Sequence, residues 1–113
     1  MSNMQKENAH GEGLVALLKR AGGCEPVLVI ASASTVGRLA LGWKESFGHA
    51  HWIYRVRSFG EGSDESEIEA LAQEAENLQA KTIAALGNAK LIQTVSSAAE
   101  RIGVQICCFN EEP

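Results

Sequence analysis

Apolar residues recur along this chain in two rhythms, and the way the rhythms alternate predicts its elements. Leu14, Leu17, Leu18 and Ala21 fall at i, i+3, i+4 and i+7, the spacing of one helix face. Gly22 and Gly23 follow, where a left-handed C-cap sits. After Pro26 comes Val27-Leu28-Val29-Ile30, a β-branched run with no polar alternation, as expected of a central parallel strand covered on both faces. Val36, Leu39, Ala40, Trp43 and Phe47 form a second helical stripe that should stop at Gly48, with Ser34 or Thr35 as its N-cap. Over 51–58 the rhythm changes to alternation, with Arg55 and Arg57 interleaved with Tyr54 and Val56. That pattern predicts an edge strand with one wet face.

A loop over 59–63 leads into a third stripe, Ile68, Leu71, Ala72, Ala75 and Leu78, preceded by Asp64 and Glu67 at capping-box spacing. Residues 82–86 then read as a strand and Gly87-Asn88 as a turn. Leu91, Ile92, Val95, Ala98, Ala99 and Ile102 read as a helix closed by Gly103, and residues 104–109 as a last strand. Four helix–strand alternations with short connections point to the α/β class: one three-layer domain of about four parallel strands with flanking helices, joined by right-handed crossovers. Residues 1–10 lack apolar periodicity and read as a disordered tail, leaving 11–113 as the domain.

Composition narrows the classes of function. The chain has 113 residues, 10 basic and 14 acidic, for a net charge of −4. That balance speaks against nucleic acid as a partner, because phosphate contacts require clustered Lys and Arg. No apolar run reaches membrane-spanning or signal-peptide length, so the expected location is the cytoplasm, away from membranes. Seven acidic residues and no basic one lie between Glu61 and Glu76; we read them as a solvated helix face that complements the helix dipole. Cys24, Cys107 and Cys108, with His10, His49 and His51, show no ligand spacing, so no metal site is expected.

Candidate chemistry falls at the carboxyl ends of the strands, where helix N-termini present unpaired N–H groups to an anion. Two turns qualify. One, over 31–35, offers the hydroxyls of Ser32, Ser34 and Thr35. The other holds Gly87, Asn88, Ala89 and Lys90, a strand-ending glycine followed by a lysine in the first helical turn. Acidic residues at these strand ends would suit a phosphoacceptor domain, but Ala31-Ser32 and Gly87-Asn88 stand there instead. Neither Cys-x-x-Cys nor Gly-x-Ser-x-Gly occurs, which removes thioredoxin-like and esterase readings.

The second turn lies within a longer likeness. The run Ser-Asp-Glu-Ser-Glu-Ile-Glu-Ala-Leu-Ala-Gln-Glu-Ala from Ser63, then Thr-Ile-Ala-Ala-Leu-Gly-Asn-Ala-Lys-Leu-Ile-Gln-Thr-Val-Ser-Ser-Ala-Ala from Thr82, then Gly-Val-Gln-Ile from Gly103, resembles the N-terminal domain of the iron-containing alcohol dehydrogenase and glycerol dehydrogenase family. The likeness reaches back more loosely to Gly11. It implies a Rossmann-like fold and a site for NAD(P) or another nucleotide. Gly87 and Lys90 match the family's first glycine and its lysine. Asn88 and Ala89 replace its second and third glycines, Gln93 its aspartate and Ser96 its second lysine. The resemblance therefore implies weak or vestigial nucleotide binding. No counterpart of the family's helical, metal-holding domain follows, which implies no metal and no dehydrogenase chemistry from this chain alone.

Two further readings stand beside that one. An interaction or assembly module would use the acidic helix or an open sheet edge, and an enzyme would use the 31–35 turn for a phosphorylated substrate. The last strand, with Ile106, Cys107, Cys108 and Phe109, should leave an apolar edge that invites pairing, and a homodimer is the expected assembly.

Overall fold

A computed structural model of the protein describes residues 13–60 and 65–110. The tail expected over 1–10 and the capping residue Asp64 lie outside the described residues. Eight elements follow one another: α1 (Gly13–Arg20), β1 (Val27–Ser32), α2 (Ala33–Ala50), β2 (Tyr54–Phe59), α3 (Glu65–Leu78), β3 (Thr82–Gly87), α4 (Ala89–Ile102) and β4 (Gln105–Asn110). The four strands form one parallel sheet in the order β2-β1-β3-β4.

Strand alternation divides the core between the two faces. Leu28 and Ile30 of β1 pack with Ile83 and Ala85 of β3 beneath Leu71 and Ala75 of α3 and Leu91, Val95 and Ala98 of α4. On the other face Val27, Val29 and Ala31 meet Ala84 and Leu86 beneath Leu14, Val15 and Leu18 of α1 and Trp43 and Phe47 of α2. Every residue of β3 is buried, as is all of β1 but Ser32. This explains why both strands are apolar apart from Thr82 and Ser32 at their ends, since a strand covered on both faces has no wet side to alternate toward.

Three local expectations are corrected. Helix α2 does not stop at Gly48 but continues to Ala50. His51 takes the left-handed turn at φ 59° and ψ 39°, its N–H donating back to Gly48 and Phe47 carbonyls, so strand β2 begins only at Tyr54. The N-cap of α2 is Ser32, not Ser34 or Thr35; its side chain accepts from the Thr35 N–H, because β1 keeps its register with β2 as far as Ser32 opposite Phe59.

The alternation in β2 does not leave both arginines in water. Arg57 donates to Glu74 at 3.0 Å and lies 3.9 Å from Glu67, while Arg55 approaches the other Glu74 oxygen at 3.6 Å. Glu65 pairs with Arg101 of α4. The acidic helix is thus partly consumed in holding the edge strand and its neighbouring helix, and only part of it is the solvated face expected from sequence. Among the described residues no helix is long and apolar enough to cross a membrane.

Thr82, fully buried, ties the chain after α1 to the sheet. Its hydroxyl donates to the Cys24 carbonyl at 2.8 Å and accepts from the Cys24 N–H at 2.9 Å. Thr82→Val keeps the shape and removes both bonds, leaving two backbone groups short of a partner. The expected cost is about 1–2 kcal/mol in urea unfolding; a change near zero would mean that water replaces the hydroxyl.

Candidate functional site

The two turns singled out in the sequence lie side by side. β1 and β3 are neighbours with Ala31 opposite Leu86, so the next residues, Ser32 and Gly87, end adjacent strands at the same edge of the sheet. Beyond them the chain departs in opposite directions. β1 leads through α2 to β2 on one side, and β3 leads through α4 to β4 on the other. The helices also cover opposite faces, α2 over Val29 and Ala31 and α4 over Ile83 and Ala85. This divergence is the topological switch point of a parallel sheet, the place where open α/β domains form a ligand crevice.

On the β1 side three hydroxyls meet. Ser32 Oγ lies 3.0 Å from Thr35 Oγ1 and 3.2 Å from Ser34 Oγ, and it accepts from the Thr35 N–H at 3.3 Å. Thr35 is buried, Ser32 is half-buried and Ser34 is exposed. Ser34 is therefore the hydroxyl that faces solvent, whereas Ser32 is occupied as the cap.

On the β3 side Asn88 caps α4, its Oδ1 accepting from the Leu91 N–H at 3.0 Å. One of the orphan donors of the helix start is thereby used internally. The N–H groups of Ala89 and Lys90 belong to the first helical turn, which has no intrahelical acceptors for them. Lys90 is exposed, and it is the only cation in either turn.

Gly87 also meets a packing requirement of its own. Its φ is not in the left-handed region, but a Cβ placed on it would stand 2.8 Å from Leu91 Cδ1 and 3.3 Å from Leu91 Cβ and Cγ. Packing of α4 onto the end of β3 is sufficient reason for the glycine. Sequence reasoning passed over the flanking strand ends: Phe59 sits opposite Ser32, and Asn110 sits opposite Gly87. The row Phe59, Ser32, Gly87, Asn110 forms the carboxyl edge of the sheet. Nothing in the one-dimensional pattern aligns those four positions, since their alignment depends on register.

The remaining chemistry-bearing residues lie elsewhere. A groove between α1 and the last turns of α2, lined by Val15, Lys19, Glu45, Ser46 and His49, opens at the amino end of the strands, away from the switch point. There Ser46 Oγ accepts from the Val15 N–H at 3.1 Å. Cys107 is buried on β4 while Cys24 and Cys108 are exposed; burial, reinforced by neighbouring Cys108, pushes the Cys107 thiol above its usual range. Among the described residues no three of His, Cys, Asp and Glu are grouped to hold a metal ion.

No family profile matches the chain, and no curated protein matches it in sequence. Solved structures do share its fold. A probable glycerol dehydrogenase from Sinorhizobium meliloti 1021 superposes with a TM-score of 0.72 at 21% identity, over 88% of this chain and 25% of its own. Maleylacetate reductase from Agrobacterium tumefaciens gives 0.70 at 12% identity, over 88% and 27%. NADH-dependent butanol dehydrogenase A from Thermotoga maritima gives 0.62 at 13% identity, over 78% and 23%. The chain spans about a quarter of the length of these proteins. The protein is a Rossmann-like α/β domain, and the resemblance to iron-containing alcohol dehydrogenases read from its residues recurs in its fold.

Proposed function

We propose that this chain is a binding module that seats a nucleotide or another phosphate-bearing anion, weakly, between the turns after β1 and β3. The observation that carries the reading is the convergence of those turns at the switch point: Ser32 and Gly87 end adjacent strands, and the N-termini of α2 and α4 follow directly. Two helix starts favour negative charge there. Ser34 supplies a hydroxyl and Lys90 a cation. The butanol dehydrogenase that shares the fold is NADH-dependent, which makes NAD(H) the first nucleotide to try.

Weak binding follows from the local chemistry. Asn88 already occupies one helix-start donor, and Asn88 and Ala89 carry side chains where close approach of a pyrophosphate favours glycine. Neither turn holds an Asp, Glu or His; what the turns offer an anion is hydroxyl and backbone N–H donors and the Lys90 cation.

Amide chemical-shift mapping with NAD(+), NADH, ADP and inorganic phosphate, paired with calorimetry, tests the reading. Shifts should centre on residues 32–35 and 88–91. Lys90→Ala should weaken binding about fivefold, the equivalent of roughly 1 kcal/mol for one solvent-exposed, charge-assisted contact. Shifts centred on the groove between α1 and α2, or submicromolar affinity indifferent to Lys90→Ala, would overturn it.

A further inference from the structure

We draw no further inference here: the strongest candidate, the groove between α1 and the last turns of α2 lined by Val15, Lys19, Glu45, Ser46 and His49, carries nothing because nothing in the structure shows what covers it.

Discussion

Replacing Phe47 by alanine is expected to lower the unfolding free energy by about 3–5 kcal/mol, the cost of emptying a large buried aromatic site. Phe47 is fully buried near the end of α2. Its ring stacks on Tyr54 of β2 at 4.2 Å with 5° between the planes, and Trp52 approaches it at 6.5 Å. The residue thus fastens the helix to both the sheet and the turn that follows. A domain of this size has a total stability of about 5–15 kcal/mol, so the variant should be marginal at ambient temperature. Urea unfolding followed by tryptophan fluorescence and circular dichroism measures the change. A loss below about 1 kcal/mol would show that the site collapses freely and that the stacked pair is not a packing anchor.

Gly87→Ala should cost about 1–3 kcal/mol, the usual range for overpacking a filled core. The added methyl would meet not only the mobile end of Leu91 but also its Cβ and Cγ at 3.3 Å, and Leu91 is itself buried. Backbone strain makes no contribution, since glycine is not needed there for a left-handed φ. A double-mutant cycle isolates the cause. Leu91→Ala alone leaves a cavity costing about 2–5 kcal/mol, but in the Gly87→Ala background its cost should be smaller by about 1 kcal/mol or more, because the alanine methyl then has room. Strict additivity would sink the packing explanation.

Which features were legible in one dimension follows from the range of the interaction that sets each. Helical stripes such as Leu91, Val95 and Ala98, and the unbroken run Val27-Leu28-Val29-Ile30, report burial through the local period of the backbone. The α/β class, the four parallel strands, the central position of β1 and the edge position of β2 could accordingly be read from residue order. The candidate turns were legible for the same reason, since strand ends and helix starts carry their own small and capping residues.

Other features depended on contacts distant in sequence. Arg57 alternates like a solvent-facing residue, but Glu74, 17 positions away, approaches only once α3 crosses the sheet. Ser32 could end a strand or begin a turn by composition; its identity as the cap is decided by the β1–β2 ladder reaching Phe59. That Gly87 also answers to packing was hidden until the fold brought Leu91 within 2.8 Å of where a Cβ would stand. The amino-acid sequence alone determined the class of fold, the order of its elements and the position of the two candidate turns, because periodicity and capping act over a few residues. Only the tertiary structure decided that those turns share one switch point and that Glu65, Glu67 and Glu74 of the acidic helix are paired, because strand order and register are settled by packing between segments far apart in the chain.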